Sequence, residues 1–166
     1  MSPLLALLGK VMNAMPRGRH VMVLSLAGLG LFPPSSRASG PYQFHALTPC
    51  RVFDTRDSGV PLANPGPHAF KIQEKCGVPL GAAAVALNVT VMSPNQAGDL
   101  RLFPTGRQVP LVSTLNYRAG EPALANGAIV PLAALGPGSP DDLAIQVGMM
   151  SAGTVHVLLD VTGYFQ

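Results

Sequence analysis

Residues 154–165 read TVHVLLDVTGYF, and the alternation within this segment decides the fold. One face of the segment carries four branched apolar side chains: Val155, Val157, Leu159 and Val161. The other face carries His156, Leu158, Asp160 and Thr162. A period of two residues is typical of a β-strand with one buried face. Because the segment is long and mostly apolar, we expect it to lie in the middle of a sheet.

Two further segments repeat this alternation, AVALNVTVM at 84–92 and DLAIQVGM at 142–149. In the first, the apolar face consists of Val85, Leu87, Val89 and Val91, and in the second it consists of Leu143, Ile145 and Val147. Shorter candidate strands are YQFHAL (42–47), CRVFDT (50–55), HAFKIQE (68–74), GDLRLFP (98–104), LVSTLNYR (111–118) and NGAIVPL (126–132).

Turn-forming sequences separate these candidates at short intervals, and the chain holds 18 Gly and 17 Pro residues. Such frequent punctuation leaves no room for long helices. About nine short strands spaced in this way predict an all-β fold, an antiparallel β-sandwich or jelly roll. We expect an irregular loop over about 57–68.

The N-terminal residues have the layout of a secretory signal peptide. Arg17 and Arg19 precede an apolar run over 21–32, two prolines end the run, and small residues at 36 and 38 suit cleavage after Ala38. The run of 12 residues is shorter than the roughly 20 that span a bilayer. We therefore predict a signal peptide with a long N-terminal flank over 1–38 and one domain over 39–166. The alternative is a buried core helix.

The excess of positive charge belongs to this N-terminal segment. Four of the eleven Lys and Arg residues precede residue 40, while all eight Asp and Glu residues follow it. The predicted domain therefore carries seven basic and eight acidic residues. A nucleic-acid-binding domain needs a basic patch, and this balance argues against one. The predicted domain has no candidate membrane span.

Export places the domain in a compartment where disulfides persist. Cys50 and Cys76 are the two cysteines, and both lie in the predicted domain. They most simply pair with each other, and the alternative is two free thiols. The sequence lacks a C-x-x-C pair, so redox and zinc-ribbon interpretations have no support.

Residues 50–59, CRVFDTRDSG, concentrate charge in a weakly charged chain. Asp54 and Asp57 are candidate calcium ligands, although the EF-hand pattern is absent. The favoured interpretation is structural: Cys50, Val52 and Asp54 face one way on a strand, and Arg51, Phe53 and Thr55 face the other. Asp54 and Arg56 then bond to backbone or to each other. The guanidinium of Arg56 also suits a carboxylate, and we expect Asp160 as its partner.

Asn is depleted in strands, yet Asn88, Asn116 and Asn126 lie in or beside candidate strands. A ligand-binding role is one interpretation. The favoured one is that their amides bond to loop backbone and fix the connections, which adds them to a structural polar cluster with Asp54, Arg56 and Asp160.

Enzymatic and sugar-binding signals are weak. The chain has no Gly-x-Ser-x-Gly or His-Glu-x-x-His motif, and His45, His68 and His156 are scattered. No catalytic residue, metal site or cofactor is assigned, apart from the calcium alternative. There is no Trp and there are three Tyr residues, which disfavours the aromatic platforms of carbohydrate-binding modules.

Several separated blocks resemble, in order, a domain of exported bacterial proteins. They are PCRVFDTR, CGVPLGAAAVALNVTV, GDLRLFPTGRQVPLVSTLNYRAGEPALANGAIVPL and GTVHVLLDVTGYF, and together they cover about residues 42–166. The domain of that family occurs alone or appended to secreted enzymes and surface proteins. The resemblance implies an exported all-β accessory domain without known catalytic residues.

These observations predict a structural or protein-interaction module that is secreted or held at the cell surface and binds other proteins or itself. The second hypothesis is a module that binds a glycan or surface polymer, assisted by calcium. The third is a hydrolase.

Overall fold

The computed structural model describes residues 40–135 and 140–166. The predicted signal peptide over 1–38 lies outside the described residues. The elements follow one another as β1 (Phe44–Asp54), α1 (Thr55–Ser58), β2 (Leu62–Ala63), β3 (His68–Phe70), β4 (Ala84–Met92), β5 (Gly98–Pro104), β6 (Leu115–Tyr117), β7 (Leu124–Pro131), β8 (Leu143–Met149) and β9 (Thr154–Phe165).

The strands form two packed antiparallel sheets, which confirms the predicted all-β sandwich. Sheet 1 has the order β1-β9-β4-β7, and β2 pairs with the start of β9 beyond the end of β1. Sheet 2 has the order β3-β8-β5-β6. β9 lies between β1 and β4, so the prediction that this strand is central is confirmed.

The core lies between the inner faces of the two sheets. The apolar faces predicted for β4, β8 and β9 are all buried, and Leu100 of β5 and Leu115 of β6 complete the core from sheet 2. Each such side chain contributes about 1.5–3 kcal/mol when it is fully buried. Alternation in the sequence thus specifies which face of each sheet meets the other.

β1 departs from the sequence prediction. The two candidates at 42–47 and 50–55 form one strand of 11 residues, which is interrupted by register irregularities between Ala46 and Cys50 and between Arg51 and Phe53. Because of the second irregularity, Val52 and Phe53 both pack against the core, and the simple alternation predicted over 50–55 is wrong. The segment expected to be an irregular loop contains the second half of α1 and the short strand β2.

Cys50 and Cys76 form a disulfide, so the predicted pairing is confirmed and the free-thiol alternative is wrong. Their Cα atoms are 5.8 Å apart. The bond ties β1 of sheet 1 to the loop that follows β3 of sheet 2. In that loop, Glu74 and Cys76 have positive φ angles of 66° and 52°, a conformation that non-glycine residues rarely adopt. The disulfide helps to hold this turn in place.

Candidate functional site

An ion-pair cluster formed by Arg51, Asp54, Arg56 and Asp160 lies on the outer face of sheet 1, where β1 runs beside β9. Arg51 stands directly opposite Asp160 in the β1–β9 register. Its Nε donates to Asp160 Oδ1 at 2.7 Å, and its Nη2 donates to Oδ2 at 3.1 Å. Paired, parallel hydrogen bonds of this kind are the strong form of an arginine–carboxylate contact.

Asp54 is the buried centre of this ion-pair cluster, with a side chain that is 3% exposed. It accepts a hydrogen bond from Arg56 Nη2 at 2.7 Å and another from Arg51 Nη1 at 3.0 Å. It also caps α1, because its Oδ1 accepts from the Arg56 amide at 2.9 Å. The hydrogen bonds from the Arg56 side chain outweigh the opposing effect of burial and lower the pKa of Asp54 well below its ordinary value.

The expected pairing of Arg56 with Asp160 is wrong, because Arg51 occupies that position. The antiparallel register places Arg51 across from Asp160, while the first turn of α1 folds the Arg56 side chain back onto Asp54. The expectation that Asp54 and Arg56 bond to each other and to backbone is confirmed.

The charges of the ion-pair cluster pair with one another, and the Arg51 and Arg56 side chains are 42% and 44% exposed. The Arg56 Nη1 atom contacts Met92 Sδ at 3.4 Å, and the other donors of both arginines in this network point at carboxylates. Within the described residues, no group of three or more His, Cys, Asp or Glu side chains is placed to hold a metal ion. The calcium interpretation of Asp54 and Asp57 gains no support from these contacts.

The three asparagines serve different purposes. Asn126 Nδ2 donates to the Thr114 carbonyl at 2.8 Å, which links β7 of sheet 1 to the segment before β6 of sheet 2. This is the predicted fixing of loop backbone. Asn116 instead bonds the Ser113 hydroxyl at 2.9 Å. Asn88 lies beside Asp160 in the β4–β9 register, and its amide is 3.4 Å from the Thr90 hydroxyl. The structure does not bring the three together.

The described histidines have structural contacts. The His45 ring stacks on Tyr164 with centroids 4.8 Å apart, and His68 Nε2 is 2.9 Å from the Ala63 carbonyl oxygen. His156 Nδ1 is 2.9 Å from the Thr55 hydroxyl, a pairing that resembles a nucleophile with its base. However, Thr55 is 2% exposed and its Oγ1 also accepts from the Val157 amide. This hydroxyl therefore anchors α1 to β9 and is closed to a substrate.

Sequence reasoning missed two buried polar residues, Asp142 and Gln73. The Asp142 carboxylate is fully buried and accepts from the amides of Ile72 and Gln73, at 2.8 and 2.7 Å. The Gln73 side chain donates to the Ala133 carbonyl and accepts from the Gly81 amide. The contacts of Asp142 join segments about 70 residues apart. No local sequence pattern indicates such contacts.

The outer edge of β7 is a different kind of surface. In the part of the chain that the structure describes, no strand pairs with this edge. The Leu132 amide, just beyond β7, donates to the Ala83 carbonyl at 2.9 Å. Bonding direction alternates along a strand, so the even-numbered residues of β7 face β4. The backbone groups of Ala125, Gly127 and Ile129 therefore face away from β4, and all three residues are exposed.

The other sheet edges carry devices that discourage pairing. β1 has two irregularities and the charges of Arg51 and Asp54, and β3 and β6 are three residues long. β7 has eight residues, no charged side chain and an unbroken register with β4. Exposed edges without charge, bulge or short length are templates for a further strand. We name the outward backbone and side chains of residues 125–129 the β7 edge.

One large apolar side chain of the β7 edge is exposed. Ile129 is 66% exposed on the strand itself. Leu111 and Val112 are 95% and 75% exposed, but they belong to the segment before β6 and not to the β7 edge.

Comparisons with models of protein families, with curated proteins and with solved structures found no match. The resemblance to an exported bacterial accessory domain therefore stays a prediction from the sequence blocks that carry it. Within the described residues, no helix has the length and apolar character needed to cross a membrane.

Proposed function

We propose that the protein is an exported structural or interaction module that acts outside the cell and binds protein partners through the β7 edge. The observation that carries this proposal is the eight-residue, uncharged strand whose outer edge is unpaired in the described residues. Extended segments commonly bind proteins by adding a strand to such an edge.

The disulfide supports the location in this proposal. Cys50 and Cys76 are the only cysteines of the chain, and they are bonded to each other. Disulfides persist in oxidising compartments and are rare where thiols are kept reduced. The bond also ties β1 to the loop after β3, and so links the two sheets.

Cross-linking in the producing cells tests this proposal. A photoreactive amino acid at Ile129 is compared with the same substitution at Val60, because both side chains are 66% exposed and Val60 lies outside the strands. We expect protein adducts from position 129 in the extracellular or surface fraction and none from position 60. Equal yields from both positions, or recovery of the chain only from the cytoplasm, would contradict the proposal.

A further inference from the structure

We propose that the partner of the β7 edge is a second copy of this chain, paired antiparallel about a two-fold axis at Gly127. This inference deepens the proposed function and rests on it. It would join the two copies of sheet 1 into one continuous sheet with two β7 strands at its centre.

The direction of the free backbone groups allows this pairing. Outward groups belong to the odd-numbered residues, so Gly127 meets Gly127 of the second copy, and Ala125 meets Ile129 of the second copy on either side. None of the three is a proline, so each supplies both an amide and a carbonyl. Pro122 and Pro131 flank the stretch and confine the pairing to it, because proline cannot donate to a ladder.

The side chains also suit a second copy. Each exposed Ile129 would lie across from a small Ala125, so large and small residues alternate on the outer face. A Cβ atom placed at Gly127 would have no heavy atom within 4 Å, so the outer face of sheet 1 has room for the side chains introduced at this position in the test below. The strand carries no charge, so two copies meet without repulsion. Isologous contacts of this kind, in which one patch meets itself, build most dimers.

Sedimentation velocity over a concentration series tests this inference. The sample is the protein purified in the form in which the producing cells release it. We expect the native protein to shift from monomer to dimer as concentration rises. Gly127→Lys should weaken association at least about tenfold, because it sets two like charges face to face at the axis. Gly127→Glu should do the same by itself. An equimolar mixture of the two variants should recover association, because opposite charges then meet.

Val60→Lys serves as the matched control for Ile129→Lys, since it adds the same charge at an equally exposed position away from β7. We expect Ile129→Lys to weaken association and Val60→Lys to leave it unchanged, with melting temperatures close to that of the native protein in each case. A native protein that stays monomeric throughout would overturn the inference, as would an unmixed Gly127→Lys variant that still dimerises. Neither result would change the outcome of the cross-linking experiment, which tests the proposed function separately.

Discussion

Asp54 shows how one side chain can serve three purposes. Its carboxylate caps α1, forms ion pairs with two arginines and fills a nearly closed position at the end of β1. A buried carboxylate without donors would be costly, and here Arg51 and Arg56 supply them. Arg51, Asp54 and Arg56 thus hold the end of β1 in place. This structural role explains why charge is concentrated in residues 50–59.

Removing the charge of Asp54 should change how stability depends on pH. The lowered pKa of Asp54 means that the folded state favours its ionised form. That stabilisation is complete above the ordinary carboxyl pKa of about 3.9 and is lost as pH falls below it. Asp54→Asn keeps a capping oxygen but loses the charge. We expect it to lower the free energy of unfolding near pH 7 and to flatten its decline in acid.

Urea unfolding at a series of pH values between 7 and 2 measures this effect. Asp57→Asn is the control, because Asp57 is an exposed carboxylate of the same helix. The control should keep the acid dependence of the native protein. An Asp54→Asn variant with the native slope would show that the ion-pair cluster does not stabilise the fold.

Replacing Asp142 should destabilise the fold more than replacing Asp54. Replacing it with Ala leaves the amides of Ile72 and Gln73 buried without an acceptor. Each buried amide left without an acceptor costs about 1–3 kcal/mol. Asp142→Ala should therefore lower the free energy of unfolding, measured with a chemical denaturant, by about 2–6 kcal/mol. Asp142→Asn retains one acceptor oxygen and should lose less. Equal losses for the two variants would contradict this view of the carboxylate.

At the scale of elements, the regular strands are the ones that the sequence predicts. β4 alternates without interruption, and the apolar faces of β8 and β9 follow from the same period of two, although these strands also bury Ala144 and Leu158 of their other faces. β1 contains irregularities that depend on how it pairs with β9, and β2 has two residues that are a strand only through that pairing. Local patterns do not encode such long-range registers.

The same limit applies to the candidate site. The composition of residues 50–59 indicates a structural polar cluster, but the choice between Arg51 and Arg56 as the partner of Asp160 depends on register. The buried contacts of Asp142 and Gln73 likewise depend on chain crossings that only the folded structure reveals. The openness of the β7 edge is also a property of the sheet order, since the segment itself reads as an ordinary strand.

The disulfide is the strongest link between β1 and the loop after β3. It closes a loop with a sequence separation of 26 residues. In the chain-entropy view, such a crosslink stabilises the fold by roughly 3–4 kcal/mol. In a Cys50→Ser, Cys76→Ser double variant, the free energy of unfolding in urea should fall by about that much. The spectroscopic signal of the β-strands in the folded protein should not change. A loss below about 1 kcal/mol would mean that packing alone fixes this loop.

For the whole molecule, the important feature is how the sheet edges differ in length, regularity and charge. Three strands that end a sheet are short, irregular or charged, while β7 is long, regular and neutral. Among the end strands of the two sheets in the described residues, β7 is therefore the one most open to pairing.

Amide hydrogen exchange along β7, measured by NMR at low and high protein concentration, tests the role of the β7 edge most directly. The amides of Ala128 and Val130 face β4 and should be protected at both concentrations. Those of Ala125, Gly127 and Ile129 should exchange rapidly in dilute protein and slow as concentration rises. Rapid exchange of these three amides at every concentration would contradict pairing of the β7 edge with a second copy.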